Sequence, residues 1–222
     1  MVDVNAFQGI LYNPEKVSDL NQVVTPPYDV ITPEAQETYY HRHEHNVIRL
    51  DLGKEFPDDQ PTNNRYTRAA GFFKDWQKDQ ILLQDGRPAL YRYEITYSLG
   101  HLGQSPRKTL RGFFAIVKLE PFSSGKILPH ENTFPKVKED RLNLLRACRA
   151  NFSPIFALYL DPEDQVQGFL EQGSSGIHPR IDFVHEDQTH HLMWGIDDPA
   201  LIHKLQKRLS SEILLIADGH TR

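Results

Sequence analysis

The sequence is poor in cysteine and lacks any long apolar run. Cys148 is the single cysteine among 222 residues, which excludes an intramolecular disulfide and a zinc site built from several cysteines. Such sparse use of cysteine is typical of a reducing compartment. No apolar run approaches the ~20 residues of a membrane span, and MVDVNAFQGI at the start has no basic segment before an apolar core. We therefore expect a cytoplasmic protein without a membrane partner.

Several common enzyme motifs are also missing. The chain has no GxxxxGK[ST] and no GxGxxG, so it lacks the signatures of P-loop and dinucleotide-binding folds. It has no GxSxG, the nucleophile elbow of many hydrolases. The formal net charge is −5, so a broad nucleic-acid-binding surface is not expected.

The composition is that of an ordinary folded protein, and segments with helical and strand patterns alternate along the chain. Hydrophobic residues make up 39% and charged residues 25% of the chain, which does not indicate disorder. The patterns predict strands at 6–12, 46–52, 88–100, 109–120, 155–160 and 214–217, with a hairpin over 180–196, and helices at 33–43, 65–82, 135–150, 161–172 and 197–209. Hairpins mixed with helix–strand steps indicate a single α+β domain over 1–222 with a mixed sheet.

The last five residues carry the densest chemistry. Asp218, Gly219, His220, Thr221 and Arg222 follow the apolar run of the final predicted strand. A strand that ends in glycine often leads into a helix N-terminus, where backbone N–H groups bind phosphate. Glycine allows close approach of the backbone, and arginine matches phosphate oxygens. The alternative is a polar turn capped by its aspartate.

A second polar cluster precedes a predicted helix. His130 and Glu131 stand side by side as general acid/base types, and Lys136 and Lys138 occupy the first turns of the helix. Lysines there oppose the helix dipole unless an anion lies nearby. The alternative is a solvated helix start. Both this cluster and the last five residues follow short apolar strands, which predicts that Glu131 and His220 face one cleft.

Two further segments are weaker candidates. Tyr28 and Asp29 follow the rigid pair Pro26–Pro27, and such a stiff loop can position side chains, or it merely crosses the sheet. Three histidines alternate in HRHEHN, at His41, His43 and His45; they could bind a metal or form a solvated helix end. Cys148 falls on the predicted helix at 135–150, where we expect a buried, unreactive thiol that packs with Leu144 and Leu145.

Together these segments resemble one protein family. TPPYDVI, NVIRL, LPHENT, KEDRLNLLRACRANFSPIFALY and LLIADGHTR are similar, in this order, to motifs of the DUF1015 family of bacterial and archaeal proteins. The resemblance covers essentially the whole chain. The last motif in the family is usually DGHHR, and here Thr221 stands in place of the second histidine. Family members continue beyond this point, so the resemblance implies an N-terminal fragment of a longer protein.

The last motif is also similar to one in the ParB/sulfiredoxin superfamily, which implies an element of that type near residue 222. The superfamily includes segregation proteins, sulfiredoxins and free-serine kinases, in which the motif binds nucleotide phosphate. Sulfiredoxin chemistry needs a cysteine in the motif, and none stands beside Gly219 and His220. An acidic chain without a helix-turn-helix pattern does not fit a ParB-type DNA clamp. The kinase comparison is the one that fits best.

The resemblance therefore implies a phosphotransferase that uses ATP or ADP with Mg²⁺ and acts on a small hydroxylated metabolite, namely a free amino acid such as serine. The alternatives are a non-catalytic module that senses a nucleotide or metabolite, and a structural interaction domain. The roles implied for individual residues are catalysis by Glu131, His130 and His220; phosphate binding by Asp218, Gly219, His220, Arg222, Lys136 and Lys138; substrate positioning by Tyr28 and Asp29; and metal binding by Glu131 and Asp218.

Overall fold

The computed structural model describes residues 1–99 and 106–222 and has an α+β fold. The helices in this part of the chain are α1 (Pro33–Arg42), α2 (Ile48–Asp51), α3 (Arg65–Lys78), α4 (Pro135–Cys148), α5 (Gln165–Ser174) and α6 (Pro199–Leu209). The strands are β1 (Val4–Asn5), β2 (Ile10–Tyr12), β3 (Leu82–Gln84), β4 (Leu90–Ser98), β5 (Arg107–Phe114), β6 (Ile116–Val117), β7 (Ile127–Leu128), β8 (Phe156–Leu158), β9 (Ile181–Val184), β10 (His190–Ile196) and β11 (Leu214–Asp218). Among these helices, none combines the length and the apolar character needed to cross a membrane.

Local hydrogen bonds explain where several helices begin. The Thr32 hydroxyl accepts from the backbone N–H of Ala35 at the start of α1, and Pro33 occupies the first helical position. Asp198 caps α6 in the same way, because its carboxylate accepts from the first backbone N–H groups of that helix. Asn64 and Thr67 form a capping box at α3. These starts agree with the sequence prediction because their partners are close in sequence.

The chain contacts divide the molecule into two compact units. The first unit consists of Met1–Gly9, Asp85–His130 and Ala157–Ile216, and the second consists of Ile10–Gln84, Glu131–Phe156 and Ala217–Arg222. Each unit has its own hydrophobic core.

The first unit is built on an antiparallel sheet of four strands in the order β5-β4-β10-β9. Both predicted hairpins are part of this sheet; the predicted loop between β4 and β5 falls largely on residues 100–105, outside the described residues. Leu90 of β4 and Ile196 of β10 pack with Leu170 of α5 and Leu205 of α6. A three-stranded sheet, β7-β11-β8, pairs β7 and β11 in parallel, so the fold contains the predicted mixture of strand directions.

The second unit contains α1 to α4 and the antiparallel pair of β2 and β3. Val23, Leu50 and Trp76 lie in its larger core, and Ala69, Leu144 and Cys148 form a second cluster. This unit holds the polar residues of greatest chemical interest.

The predicted strand at 46–52 is wrong, because Ile48–Asp51 forms α2. The side chain of Asn46 accepts from the N–H of Ile48 and donates to the carbonyl of Gln22, which fixes a helical turn at this point. A short apolar run suits a buried helix as well as a buried strand. Here Ile48 and Leu50 are buried by the helical turn.

Other boundaries differ from the prediction as well. Of the strand predicted at 6–12, Ile10–Tyr12 forms β2 and Phe7 forms an isolated bridge with Ala89. The helix predicted at 65–82 ends at Lys78, and the strand predicted at 109–120 is divided between β5 and β6. Helix α5 begins at Gln165 rather than beside Asp161, because Asp164 adopts a left-handed conformation at φ 53°. The Asp161 carboxylate accepts from the N–H of Gln165 across that turn.

The single thiol is buried, as predicted. Cys148 packs with Leu144 and Ala69, and burial raises its pKa to about 11. Leu145, the other expected neighbour, is exposed instead. A thiol that stays protonated at neutral pH is a poor nucleophile, so the structure supports a packing role for Cys148.

Candidate functional site

The last residues of the chain form a tight turn after β11. Gly219 has φ +84°, and the N–H of Arg222 donates to its carbonyl oxygen at 2.9 Å. A Cβ atom at this position would lie 3.0 Å from Cδ of Arg222 and 3.3 Å from Cα of Ile155. Both the backbone conformation and the space therefore require glycine.

Replacing Gly219 by alanine is expected to lower the free energy of unfolding by about 1–2 kcal/mol, the cost of a left-handed conformation for an L-residue. Urea denaturation measures the change. Gly71 is a matched control because it lies inside α3 with no atom within 4 Å of the position of a Cβ. Gly71→Ala should raise stability by about 0.5–1 kcal/mol. Equal effects at both positions would contradict the role assigned to Gly219.

Arg222 is held by several groups of the second unit. Its guanidinium donates to the carbonyl oxygen of Pro154 at 3.0 Å and lies 3.2 Å from Oδ2 of Asp218. Nη2 is 3.8 Å from the carboxylate of Asp29. The charge of Arg222 is thus partly compensated inside the protein, and its position is fixed.

Tyr28 connects this turn to helix α4. Its hydroxyl is 3.1 Å from Oγ1 of Thr221, and the guanidinium carbon of Arg141 lies 3.8 Å from the centroid of its ring. The guanidinium carbon of Arg222 lies 5.8 Å from the centroid of the same ring. Tyr28 and Asp29 are therefore beside the Asp218–Arg222 turn, and their role in positioning a substrate stays a prediction.

Glu131 and His220 meet after two neighbouring parallel strands, β7 and β11. That both side chains face one cleft stays a prediction. Oε1 of Glu131 is 3.0 Å from Nδ1 of His220, and the imidazole is only 3% exposed while the carboxylate is 56% exposed. A carboxylate at this distance orients the imidazole ring, an arrangement that recurs where histidine acts as a base.

One face of helix α4, which carries both polar and apolar side chains, lines a cavity of about 290 Å³. Lys138, Arg141, Leu142 and Leu145 follow the helical spacing of three and four residues and line one wall. The other lining residues are Asp51, Leu144, Ala150, Asn151, Phe152, Ser153, His220, Thr221 and Arg222. The cavity therefore brings together two segments that the sequence selected independently, namely the start of α4 and the final turn.

The ionised side chains give the cavity lining a net positive charge. Arg141 and Arg222 are both paired with carboxylates. Lys138 is exposed, and within residues 1–99 and 106–222 no carboxylate forms an ion pair with it. Lys138 is thus the cation that can best accept an incoming anion.

Beneath the cavity lies a buried network that the sequence analysis missed. Nη1 of Arg141 is 2.9 Å from Oδ1 of Asp51, and both residues are 8% exposed. The hydroxyl of Ser153 donates to the second oxygen of Asp51 at 2.7 Å. On its other side Arg141 contacts Asp140 at 2.6 Å. The only sequence signal was the pair Asp140–Arg141 inside an otherwise amphipathic helix.

Asp140 ties this network to helix α3. Tyr66 donates its hydroxyl to Oδ1 of Asp140 at 2.7 Å, and Arg65 forms an ion pair with the same oxygen. Burial opposes ionisation of Asp140, but the hydrogen bonds from Tyr66 and Arg141 outweigh it and lower its pKa. The network therefore holds α4, and with it the cavity wall, in a fixed position.

Some predicted residues are not among the described residues that line the cavity. His130 belongs to the first unit, where its Nδ1 is 2.6 Å from the carbonyl oxygen of Ile216. Lys136 is exposed on α4 and is not among the described residues that line the cavity. His41, His43 and His45 form no group of metal-ligand atoms in the described part of the chain; the ring of His45 instead packs against Trp76.

Comparison with known proteins gives one match. A search of curated proteins and a search of solved structures found no similar protein. A family model described as "Protein of unknown function (DUF1015)" matches residues 4–222. The match extends over nearly the whole chain and includes both segments of the cavity. The chain therefore belongs to the DUF1015 family.

Proposed function

We propose that this chain is a nucleotide-dependent phosphotransferase that acts on a small hydroxylated metabolite. The observation that carries the proposal is the position of His220, which lines one cavity with the cationic residues Lys138, Arg141 and Arg222 and has a carboxylate 3.0 Å from its Nδ1 atom. Phosphoryl transfer requires positioning and neutralisation of charge more than covalent chemistry. A base and several cations around one small cavity supply both requirements.

His220 is the better placed of the two candidate bases. It lines the cavity, whereas Glu131 is not among the described residues of the lining. His220 would accept the proton of the acceptor hydroxyl while the hydroxyl oxygen bonds to the terminal phosphorus of the nucleotide. The bond from that phosphorus to the bridging oxygen breaks, and the shortened nucleotide leaves. Glu131 would act as a positioning residue that orients the imidazole.

The donor would be ATP or ADP, with its phosphates near Arg222 and the N–H groups of the final turn. Carboxylate oxygens and exposure to solvent suit Mg²⁺, which keeps several waters when it binds. Glu131 and Asp218 are both 56% exposed, so these two side chains would hold the metal. Bound Mg²⁺ would neutralise phosphate charge.

The similarity of the final motif to that of the ParB/sulfiredoxin superfamily supports the same proposal. In its free-serine kinases the motif binds nucleotide phosphate, and Asp218, Gly219, His220 and Arg222 match it here. This is support by analogy, since one fold can carry several functions. Serine is accordingly the first acceptor to test.

A transfer assay tests the proposal directly. The protein is incubated with ATP or ADP, Mg²⁺ and one hydroxylated metabolite at a time, and phosphorus NMR follows the products. We expect a new phosphomonoester signal that requires both nucleotide and acceptor. Absence of nucleotide binding by calorimetry, together with absence of transfer, would refute the proposal.

The contribution of Arg222 is measured in the same calorimetric experiment. Arg222→Ala should weaken nucleotide binding by about 1.5–3 kcal/mol, the usual contribution of a hydrogen bond to a charged group. Arg146→Ala is the control, because Arg146 is an exposed arginine of α4 outside the cavity lining. Equal affinities of the two variants would show that Arg222 does not bind the phosphates.

One observation favours a second candidate function, a non-catalytic module that senses a nucleotide or metabolite. Arg141 and Arg222 already contact protein carboxylates, so the site is well ordered without a ligand. A sensing module would bind the ligand and show no turnover. Ligand binding without any phosphomonoester product, for every acceptor tried, would therefore select this alternative.

A further inference from the structure

We infer that the acceptor is a small hydroxy acid with a short aliphatic chain, bound through its carboxylate to Lys138 in the cavity of the second unit. This inference rests on the proposed function, because it names the substrate class of the same site. Three observations carry it: the size of the cavity, the unpaired cation and the apolar part of the wall.

The size of the cavity selects a small molecule. Its volume is about 290 Å³, at the lower end of the roughly 300–1,000 Å³ of ligand pockets that enclose a drug-sized ligand. A whole nucleotide would not be enclosed in this space. The cavity therefore suits the acceptor, with the nucleotide phosphates outside it, near the final turn.

The charge of the cavity selects an anion. Arg141 is neutralised by Asp51 and Asp140, with contacts of 2.9 and 2.6 Å, and so adds little net charge. Lys138 has no such partner within the described ranges 1–99 and 106–222. A single ammonium group with three rotatable donors suits one carboxylate. The anionic group of the ligand is thus expected to bind at Lys138.

The remaining wall selects hydrocarbon. Leu142 and Leu145 of α4 line the cavity and are 42% and 41% exposed, and Ala150 continues the apolar surface. When a ligand covers exposed leucines on a cavity wall, apolar surface is removed from water, which makes the free energy of binding more favourable. A ligand with a short alkyl chain would cover this surface, and a purely polar acceptor such as serine would leave it exposed to water.

His220 is the residue expected to bind the hydroxyl group of the ligand. His220 lines the same cavity as Lys138 and Leu145. A ligand that places its carboxylate on Lys138 and its chain on the leucines has its hydroxyl left for the imidazole. The three groups together define an aliphatic hydroxy acid.

Calorimetric titration of the full chain with lactate and its longer straight-chain homologues, without nucleotide, tests the inference. Each added methylene should tighten binding about fourfold until the cavity is full, the value expected for a buried methylene. The corresponding alcohols and amines, which lack the carboxylate, should bind much more weakly. Equal affinity for acids and alcohols, or no dependence on chain length, would overturn the inference.

Two variants with matched controls sharpen the test. Lys138→Gln should weaken binding of the hydroxy acids about tenfold or more, because a hydrogen bond to a charged group is lost. Lys74→Gln should leave it unchanged, since Lys74 is an exposed lysine of α3. Leu145→Ser should remove the dependence of affinity on chain length, whereas Leu83→Ser should not. Leu83 is a matched control because it is 40% exposed, close to the 41% of Leu145, and is not among the described residues of the cavity lining. A loss shared by variant and control would overturn the assigned contacts.

The outcomes separate this inference from the proposed function. Hydroxy acids that bind as described without any transfer of phosphate would leave the inference standing and refute the phosphotransferase proposal. Transfer to neutral alcohols, at rates equal to those for hydroxy acids, would support a phosphotransferase and refute the substrate class.

Discussion

Replacing Asp51 by alanine is expected to lower the free energy of unfolding by about 3–5 kcal/mol, the usual cost of removing one partner of a buried ion pair. The Asp51 carboxylate lies 2.9 Å from Nη1 of Arg141 and accepts a hydrogen bond from Ser153 at 2.7 Å. Without it, the buried guanidinium keeps Asp140 as its remaining carboxylate and the Ser153 hydroxyl loses its acceptor. Uncompensated buried polar groups are the physical cause of the expected loss.

Chemical denaturation with urea measures this change. Asp58→Ala is the matched control, because Asp58 is exposed in the loop before α3, and such surface substitutions usually change stability by less than about 0.5 kcal/mol. In the double variant Asp51→Ala with Arg141→Met, the loss should be smaller than the sum of the single losses, since the guanidinium that loses its Asp51 partner is removed as well. Additive losses would contradict the proposed coupling of the two side chains.

The second large effect concerns catalysis. His220→Ala is expected to lower the rate of phosphoryl transfer by a factor of about 10²–10⁴, the usual contribution of a general base. His220 lines the cavity, and its Nδ1 lies 3.0 Å from Oε1 of Glu131. No other imidazole is among the described residues of the cavity lining. Initial rates with saturating nucleotide and acceptor give the factor.

The comparison with Glu131 separates a base from a positioning residue. Glu131→Gln should lower the rate less than His220→Ala, because glutamine keeps an oxygen near the ring but loses the charge. Glu139→Gln and His203→Ala are controls for the two changes, since both residues are exposed and neither lines the cavity. If Glu131→Gln abolished transfer while His220→Ala retained it, the carboxylate itself would be the base.

The sequence by itself determined the elements whose causes are local. Thr32 with Pro33 and Asp198 with Pro199 predicted the starts of α1 and α6, because each cap bonds to backbone only a few residues away. Alternation predicted the two hairpins. Asp218 to Arg222 could be selected as a chemical cluster because a glycine between polar side chains indicates a turn, and Gly219 does adopt φ +84°.

The sequence could not determine elements whose conformation depends on distant partners. The apolar run at 46–52 fits a strand or a helix equally well, and the hydrogen bond from Asn46 to the carbonyl of Gln22 favours the helical turn. The exposure of Leu142 and Leu145 is equally unexpected from an amphipathic pattern, which would place both residues in a core. In the structure both leucines line the cavity.

The tertiary structure alone decided how the candidate site is assembled. Arg141 pairs with Asp51, 90 positions earlier in the chain, and the hydroxyl of Tyr28 meets Thr221 across 193 positions. No local pattern encodes such contacts, because they arise when separate segments pack and their buried charges must find partners. Sequence reasoning selected Glu131 and His220 as chemical types, and tertiary packing placed their side chains 3.0 Å apart and His220 in one cavity lining with Lys138.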